Sequence, residues 1–433
     1  MDSVKLGVVG AGYVGLTSAV CLAHKGFDTV CVDANPDKVA ALRRGEPVLD
    51  EPQLPERLRT GLDSGALRFE VDYQALTGCD VVFVCVPTPT TADGSADLSA
   101  VESAVRRLGE VLDDGAVVAM KSTVPVGTSR RVAGFLAARR IHTVSNPEFL
   151  REGHTIYDFE HPDRVVIGAD DDTAARTVAA LYAGDTDTVL FMSPESAEVA
   201  KYASNAFLAV KLSFVNSLAQ LCAGVAADIG DVTACMGADP RIGDKFLAPG
   251  PGWGGSCLPK DTAALVNTGR EFGVALREVE AARETNAAQA GRIIATLRRV
   301  LTRPLTEVRI GVLGLTFKAG TSDVRDSPAL AVCTRLRGCG ASVTAYDPRQ
   351  DSVDRAALAA AGVSLAADAY VAAKEADAVV VLTEWPEFAE LDWEVIGRDA
   401  PDAVVLDTRN VVGAARLTDS GLRYLGNGSP TGY

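Results

Sequence analysis

Residues 5–15 read KLGVVGAGYVG, a short apolar run followed by three glycines at Gly10, Gly12 and Gly15. An apolar strand that turns through G-x-G-x-x-G into a helix is the pattern of a dinucleotide-binding βαβ unit. The glycines let the backbone approach a pyrophosphate, which rests on the N-terminus of the helix. Asp33 lies 18 residues beyond Gly15, at the predicted end of the next strand, where it would accept from ribose hydroxyls. Its charge, with no arginine directly after it, favours NAD over NADP.

The composition narrows the class of partner. The chain has 433 residues, with 42 Lys and Arg against 57 Asp and Glu, so its net charge is −15. That balance disfavours nucleic acid and anionic membrane surfaces as partners, and an anionic ligand must then be held by a few local basic groups. We expect neither a leader at Met1 nor a membrane span, because no uninterrupted apolar run reaches about 18 residues. Nine scattered cysteines and four histidines predict a reduced, cytoplasmic protein without a metal site.

The first part of the chain alternates apolar strands with helical segments. The predicted strands are 5–9, 29–32, 81–86, 117–120 and 142–144. Their continuous apolar character is typical of parallel strands that are covered on both faces. The alternation predicts a doubly wound α/β domain over residues 1–195, of the Rossmann type.

The pattern changes at Ser193, a good N-cap that is followed by Pro194. A helical pattern of more than thirty residues runs from there to about Ala227, with apolar side chains on several faces. Such a helix is expected to be buried between two domains or two subunits. The stretch 237–256 contains six glycines and predicts a long functional loop. We assign residues 196–302 to a central helical domain.

A second α/β alternation begins with the apolar strand 308–313. Predicted strands 342–346 and 378–382 follow it, and residues 426–433 are expected to be frayed. The turn after the first of these strands lacks the full glycine set, so we do not expect this domain, residues 303–433, to hold a dinucleotide. The predicted fold class is α/β, with two Rossmann-like doubly wound domains joined by a central helical domain with a long connecting helix.

Cys257 stands in the sequence GGSCLPKD, residues 254–261, directly before a predicted helix. The helix N-terminus and Lys260 would make thiolate more available near neutral pH. A dehydrogenase that carries an aldehyde onward to an acid needs such a thiol, because a thiohemiacetal can be oxidised where a bare aldehyde cannot. Asp261 is a candidate base or hydrogen-bond partner beside it. The other eight cysteines are expected to be small buried residues.

Other polar groups are candidates for the same chemistry. Lys201 and Asn205 lie one helical turn apart, so they project from the same face and suit stabilisation of an oxyanion, although surface positions of this kind are common. Three segments follow predicted strands, where α/β proteins place ligands: residues 121–128, 146–153 and 315–318. From chemistry alone, Glu148 or Glu152 is the group that could manage a water molecule.

In this order the motifs resemble those of the UDP-glucose/GDP-mannose dehydrogenase family, from Val4 to about Asn410. The resemblance implies an NAD-dependent, four-electron oxidation of a nucleotide sugar's primary alcohol to a carboxylate, with two NAD and one water consumed. Conversion of UDP-glucose to UDP-glucuronate for polysaccharide biosynthesis is the leading expectation, and dTDP-glucose, GDP-mannose and UDP-N-acetyl sugars stay open. The resemblance also implies a homodimer formed through the central domain.

The family's catalytic roles carry over position by position. Cys257 is implied as the nucleophile that forms the thiohemiacetal and then the thioester, with Lys201 and Asn205 steadying the oxyanion. The resemblance further implies that Asp261 and Thr123 assist near the thiol or a bound water. It gives thioester hydrolysis to Glu152 and keeps Glu148, in the same motif, as a second acid/base candidate.

The same resemblance implies two sets of binding residues. The positions implied to contact NAD are Gly10, Gly12, Tyr13, Val14, Gly15, Asp33, Lys38, Thr88, Ser122, Thr123, Glu152, Lys260 and Arg325. The positions implied to hold the nucleotide sugar are Glu148, Phe149, Leu150, Lys201, Asn205, Arg241, Phe246, Leu247, Gly252, Phe317, Lys318 and Arg409.

Three positions depart from the common family pattern. The segment 50–53 reads DEPQ where an aromatic-Glu-Pro-Gly sequence is usual, Ala248 replaces a residue that is often polar or basic, and Trp253 stands where Phe or Tyr is common. None of these changes removes a catalytic group. Two further functions stay open on the sequence alone: a two-electron β-hydroxyacid dehydrogenase, which needs no Cys257, and a non-catalytic NAD-binding scaffold.

Overall fold

The computed structural model describes residues 4–91 and 94–433, so Met1, at which no leader is expected, lies outside the described residues. The chain forms two compact units. The first consists of Met1–Ser204 and Ala263–Val274, and the second of Asn205–Thr262 and Ala275–Tyr433.

The first unit contains an eight-stranded sheet. Its strands are β1 (Lys5–Val9), β2 (Asp28–Val32), β3 (Leu67–Glu70), β4 (Val81–Val84), β5 (Val117–Met120), β6 (His142–Ser145), β7 (Val165–Gly168) and β8 (Val189–Met192). Their order in the sheet is β3-β2-β1-β4-β5-β6-β7-β8, and all neighbours are parallel except β6 and β7. The first six strands therefore have the 3-2-1-4-5-6 order of a Rossmann fold.

Helices cover both faces of this sheet. They are α1 (Tyr13–His24), α2 (Pro36–Arg43), α3 (Leu54–Asp63), α4 (Ser99–Val111), α5 (Thr128–Leu136), α6 (Thr155–Glu160) and α7 (Asp172–Ala180), with 3-10 turns at Tyr73–Leu76 and Ala137–Arg139. Val82 and Phe83 are adjacent and fully buried, yet they belong to different apolar clusters on opposite faces of β4. This two-sided burial is why the strand is apolar at every position.

Four helices follow: α8 (Pro194–Val225), α9 (Ile229–Gly237), α10 (Leu258–Glu271) and α11 (Arg277–Val300). The predicted cap of α8 is confirmed, since the Ser196 N–H donates to Ser193 Oγ at 3.2 Å. By length and composition α8 is able to cross a membrane, although it contains no uninterrupted apolar run; the core helix of a soluble protein passes the same test.

The second unit contains a six-stranded parallel sheet. Its strands are β9 (Arg309–Leu313), β10 (Ser342–Tyr346), β11 (Ser364–Leu365), β12 (Ala378–Val381), β13 (Val404–Asp407) and β14 (Arg423–Gly426), in the order β11-β10-β9-β12-β13-β14. Its helices are α12 (Pro328–Gly338), α13 (Arg355–Ala360), α14 (Ala369–Ala373), α15 (Pro386–Ala389) and α16 (Trp393–Asp399), with 3-10 turns at Leu305–Glu307 and Ala414–Leu417. The strand order repeats that of the first sheet, which confirms the predicted second Rossmann-like sheet.

Two features of the sequence were misinterpreted. The prediction that residues 426–433 are frayed is wrong: Tyr433 is buried, its N–H donates to the Gly426 carbonyl at 3.1 Å, and its carbonyl accepts from the Gly428 N–H at 2.9 Å. The strand predicted over 81–86 ends at Val84, and six strands, β3, β7, β8, β11, β13 and β14, were not predicted.

Candidate active site

The glycine loop after β1 has the geometry that a dinucleotide needs. A Cβ atom on Gly15 would lie 1.7 Å from the Gly10 carbonyl oxygen, and Gly10 itself has a φ of +96°, so neither position admits a side chain. A Cβ on Gly12 would meet nothing within 4 Å. Gly12 is also the N-cap of α1 and makes no side-chain capping bond. Its open space in front of a helix N-terminus fits a pyrophosphate.

Asp33 closes this loop from the end of β2. Its Oδ2 accepts from the Ala11 N–H at 2.8 Å and from Lys38 Nζ at 2.9 Å. Partial burial would raise the pKa of Asp33, but the bond from Lys38 and two backbone N–H groups outweigh it, so the pKa lies below its usual value. Asp33 is therefore an anionic acceptor beside the loop, as ribose recognition requires. Tyr13 and Val14, in the first turn of α1, are both partly exposed.

Two strand ends bring further predicted cofactor residues together. Thr88 Oγ1 donates to the Thr123 carbonyl at 2.8 Å, which joins the segment after β4 to the segment after β5. Ser122 is buried and its hydroxyl donates to the Val86 carbonyl at 2.7 Å. These bonds fix the carboxyl edge of neighbouring parallel strands, where ligands bind in such sheets.

Glu148 and Lys201 form a buried ion pair in the first unit. Lys201 Nζ lies 3.1 Å from Glu148 Oε1, the Leu150 N–H donates to Glu148 Oε2 at 2.6 Å, and the two side chains are only 7% and 4% exposed. Burial alone would raise the pKa of Glu148, but the Lys201 charge and these bonds lower it below its usual value. Lys201 Nζ also lies 5.1 Å from the centre of the Phe149 ring. Glu148 is thus held as a carboxylate rather than poised as an acid.

Cys257 occupies the N-cap position of α10. Its carbonyl accepts from the Asp261 N–H at 2.9 Å, and its Sγ lies 3.5 Å from Ser256 Oγ. The Asp261 carboxylate is 1% exposed and bridges a predicted NAD-contacting residue and a predicted catalytic one, with Oδ1 at 2.6 Å from Lys260 Nζ and Oδ2 at 2.6 Å from Asn205 Nδ2. This cluster ties the thiol-bearing helix terminus to α8.

The loop before Cys257 is fixed by residues that the sequence analysis missed. Asn286 of α11 accepts from the Trp253 N–H at 2.7 Å and donates to the Trp253 carbonyl at 2.9 Å. The Trp253 Nε1–H donates to Ser213 Oγ at 2.9 Å, so the tryptophan that departs from the family pattern is accommodated in the protein interior. A Cβ on Gly252 would lie 2.7 Å from Asn286 Oδ1, which explains the glycine there. No signal in one sequence marks Asn286 as the partner.

Two of the predicted nucleotide-sugar residues of the second unit, Phe317 and Arg409, contact each other and the glycine-rich loop before Cys257. Arg409 donates to the carbonyls of Leu382 and Phe317, both at 3.1 Å, and its guanidinium lies against Gly250. The Phe317 ring packs on Gly255, two residues before Cys257. Arg241 stands apart from these residues, with its side chain 88% exposed and paired to Asp239.

The remaining predicted residues have these positions. Leu247 is buried, Phe246 is exposed with a φ of +62°, Lys318 Nζ lies 5.6 Å from the Phe317 ring, and Arg325 pairs with Asp323 while its carbonyl accepts from the Gly255 N–H. Leu150 and Glu152 are partly exposed.

Most of the other cysteines are buried, as expected, and none of the nine is in a disulfide within the described chain. Burial raises the pKa of Cys85 and of Cys333 to about 12 and that of Cys79 to about 11. The expectation is wrong for Cys235, which is exposed, and for Cys339, which is partly exposed. Among residues 4–91 and 94–433, no group of three or more His, Cys, Asp or Glu side chains is arranged to hold a metal.

The glycine loop for a dinucleotide follows β1 of the first Rossmann sheet. Together with a cysteine at a helix N-cap and the cluster of Asp261, Lys260 and Asn205, it defines an NAD-dependent dehydrogenase. Family models support this class: residues 4–184 match the NAD-binding domain of the UDP-glucose/GDP-mannose dehydrogenase family, 195–288 its central domain and 311–414 its UDP-binding domain. The chain belongs to the UDP-glucose/GDP-mannose dehydrogenase family.

Individual relatives agree with the family models. A UDP-glucose 6-dehydrogenase of Rhizobium meliloti is 43% identical, over 99% of this chain and 100% of its own. One of Pseudomonas aeruginosa is 40% identical, over 99% of this chain and 98% of its own. The solved structure of a UDP-glucose dehydrogenase from Pyrobaculum islandicum is similar, with a TM-score of 0.89, 36% identity, and coverage of 99% of this chain and 98% of its own.

Alanine substitutions at two glycines of the cofactor loop are expected to have opposite effects, one on NAD binding and the other on stability. Gly12→Ala should fold normally, within about 1 kcal/mol of wild type, because its Cβ enters open space at an N-cap. It should bind NAD at least about tenfold more weakly, since the methyl occupies the pyrophosphate's position. Gly15→Ala should instead lose about 1–3 kcal/mol of unfolding free energy through overpacking. Calorimetric NAD titration and urea unfolding separate the two; equal NAD affinity of Gly12→Ala and wild type would contradict the assignment.

Removing the cation beside Glu148 should cause a loss of stability that depends on pH. In the wild type the lowered pKa of Glu148 adds stability above pH 4.5, which is lost as the pH falls through the folded-state pKa. Lys201→Met leaves that carboxylate buried without its cation, at a cost of about 3–5 kcal/mol at neutral pH. The deficit should shrink towards pH 5 as Glu148 takes up a proton. Urea midpoints at pH 7.5 and pH 5 test this, with the exposed Lys374→Met as control; equal deficits at both pH values would refute it.

Proposed function

We propose that the enzyme oxidises UDP-glucose to UDP-glucuronate, with two NAD reduced and one water consumed for each sugar. The observation that carries the proposal is Cys257 at the N-cap of α10, beside the buried Asp261 that bridges Lys260 and Asn205. A two-electron alcohol dehydrogenase has no use for a thiol in that position. The relatives named UDP-glucose 6-dehydrogenase support the choice of substrate.

The balanced reaction takes the primary alcohol to a carboxylate in three stages. The alcohol first loses a hydride and a proton to become an aldehyde. The Cys257 thiolate adds to the aldehyde carbon, and the resulting thiohemiacetal loses a second hydride and proton to give a thioester. Water then adds to the thioester carbon, the carbon–sulfur bond breaks, and the carboxylate leaves while the thiol is regenerated. NAD, when bound, supplies the hydride acceptor for both oxidations.

Each proposed catalytic residue has a role that fits its contacts. The ammonium of Lys201 and the amide of Asn205 are donors suited to a developing oxyanion. Asp261 fixes the orientation of Asn205 through its 2.6 Å bond. Glu148, paired with Lys201, keeps that ammonium in place, so we assign the hydrolytic water to Glu152, with Thr123 assisting.

The wider assignment is also a proposal. Residues 1–195 would form the NAD-binding domain, 196–302 the central domain with the Cys257 loop, and 303–433 the nucleotide-sugar domain; the three family-model matches support this division. The binding residues implied by the family resemblance are proposed for NAD and for the sugar nucleotide. We place the enzyme in the cytoplasm, where its product would enter polysaccharide biosynthesis.

We further propose a homodimer formed through α8. Phe207, Phe214 and Leu221 recur every seven residues on this helix, and they are 64%, 54% and 59% exposed. Val225 continues the same exposed apolar surface. A heptad seam on a helix suits self-association, because a twofold axis lets each copy bury the seam of the other. A second copy of the chain is therefore the proposed occupant.

A panel of sugar nucleotides tests the reaction. UDP-glucose should give two NADH per sugar and no free aldehyde, whereas dTDP-glucose, GDP-mannose and UDP-N-acetyl sugars should turn over poorly. Cys257→Ser should lower acid production by about three orders of magnitude or more while NAD still binds. Cys235→Ser, which removes an exposed thiol, is the matched control and should leave turnover unchanged. Near-normal acid production by Cys257→Ser would overturn the mechanism.

A charge in the α8 seam should dissociate the dimer. Phe214→Asp places a carboxylate at the centre of the heptad surface. The free energy of dimerisation should weaken by at least about 2 kcal/mol, which raises the dimer dissociation constant by about thirtyfold or more. Light scattering after size exclusion should report a monomer at micromolar concentration. Val371→Asp, at an exposed position on α14, should remain a dimer. A dimeric Phe214→Asp variant would rule out this surface.

A further inference from the structure

Glu51 is a buried carboxylate to which no catalytic or binding role has been assigned. It is 3% exposed, although it precedes α3 on a segment that departs from the family pattern at its neighbours. Its Oε1 accepts from the Gly153 N–H at 2.6 Å. Its Oε2 accepts from the Thr155 N–H at 3.2 Å and from Thr155 Oγ1 at 3.1 Å. Burying a carboxylate is costly, and Glu51 offsets that cost with bonds to residues about a hundred positions further along the chain.

These bonds act on the backbone directly after Glu152. The Gly153 N–H belongs to the peptide that links Glu152 to Gly153, so its bond to Glu51 fixes the plane of that peptide. Gly153 has a φ of +84°, in the left-handed region that favours glycine. The chain therefore turns sharply at this point, and Glu51 holds the turn.

A second carboxylate holds the backbone one residue before Glu152. The Arg151 N–H donates to Asp158 Oδ2 at 2.8 Å, and the Arg151 side chain pairs with the same carboxylate. Asp158 belongs to α6, whereas Glu51 comes from a distant part of the chain. Carboxylates thus hold the backbone before and after Glu152, with Glu51 at the peptide that directly follows it and Asp158 at the peptide before Arg151.

Thr155 connects this support to the helix that follows the cofactor loop. Thr17 Oγ1, on α1, donates to Thr155 Oγ1 at 3.0 Å, and Thr155 Oγ1 in turn donates to Glu51. All three side chains are buried. The motif that carries Glu152 is therefore anchored to a helix of the first unit, α1, rather than to another loop.

From this geometry we infer that Glu51 is a positioning residue for Glu152, and that it acts on hydrolysis of the thioester. The inference rests on the proposed function, which gives Glu152 the hydrolytic water. In that step water adds to the thioester carbon, Glu152 takes the proton of the water, and the carbon–sulfur bond to Cys257 breaks. A base displaced by about 1 Å loses much of its effect, of the order of a hundredfold.

The isosteric variant Glu51→Gln tests the inference. A glutamine keeps the shape but replaces one acceptor oxygen by an NH₂ group, which faces either the Gly153 N–H or the Thr155 donors. We expect kcat to fall about 10- to 100-fold and the KM values for UDP-glucose and NAD to fall with it, because slow hydrolysis after fast thioester formation lowers both parameters and leaves kcat/KM nearly unchanged. Rapid mixing should show a burst of two NADH per active site before slow turnover, because the thioester accumulates. Intact-protein mass spectrometry should detect the adduct, and peptide mapping should place it on Cys257.

Hydroxylamine gives a readout that a merely structural role would not change. It attacks a thioester without needing a general base, so it should restore turnover of Glu51→Gln and yield the hydroxamate. Glu56→Gln, an exposed carboxylate on α3, is the matched control and should have wild-type kcat. If Glu51→Gln fails to fold, Thr155→Val should show the same burst with a smaller loss, because it removes the bonds of the Thr155 hydroxyl to Glu51 and Thr17 but keeps the bond from the Thr155 N–H to Glu51.

The outcomes separate this inference from the proposed function. Wild-type enzyme that gives one NADH per sugar, or no acid, would refute the proposed function itself. A wild type that behaves as proposed, with a Glu51→Gln variant that shows normal kcat, raised KM, or slow turnover without a burst, would refute only the role of Glu51.

Discussion

The burial of carboxylates is the constraint on which this structure depends. Each buried carboxylate has to receive cations or N–H donors, because an unpaired buried charge costs several kcal/mol. Glu148 pairs with Lys201, and Asp261 accepts from Lys260 and Asn205. Glu198, on α8, accepts from the N–H groups of Gly127 and Ser129 at 2.6 and 2.7 Å. The partners in turn become fixed, so desolvation determines the geometry of the predicted catalytic groups.

The carboxylates of the first unit follow a common plan. Glu51 and Glu198 both accept backbone N–H groups at the end of a polar segment that follows a strand, Glu51 at 146–153 and Glu198 at 121–128. In both cases the acceptor comes from another helix or segment of the chain. Glu198 lies one turn before Lys201 on α8, so its bonds also fix the position of that helix relative to α5. The two loops with predicted site residues are thus held by carboxylates from elsewhere in the unit.

The sequence predicted the features that depend on local pattern. The β1 strand, its glycine turn and α1 were recognisable because the steric requirement for glycine at positions 10 and 15 is local, and Gly12 lies between them at the N-cap of α1. The cap of α8 at Ser193 was recognisable for the same reason. The short strands β3, β8 and β14 were missed, because edge strands are half-exposed and lack the continuous apolar signal of a central strand such as β4.

Hydrogen-bond partners that are distant in sequence could not be predicted, for a different reason. Asn286 holds the Trp253 backbone from a helix 33 residues further along, and Glu51 holds Gly153 from 102 residues before it. Neither spacing has a periodic or compositional signature, so only the folded chain reveals these pairs. The candidate thiol Cys257 was recognisable because glycines, a proline and charged residues surround it in sequence.

The distribution of thiols has a practical consequence for following this enzyme. Six of the nine cysteines are buried in the apolar interior, and for at least four of them burial holds the pKa at about 11 or higher. An alkylating reagent added to native protein therefore meets only Cys235, Cys257 and Cys339. Replacing Cys235 and Cys339 by serine leaves Cys257 as the single accessible thiol, so one label would report the state of that side chain almost without background.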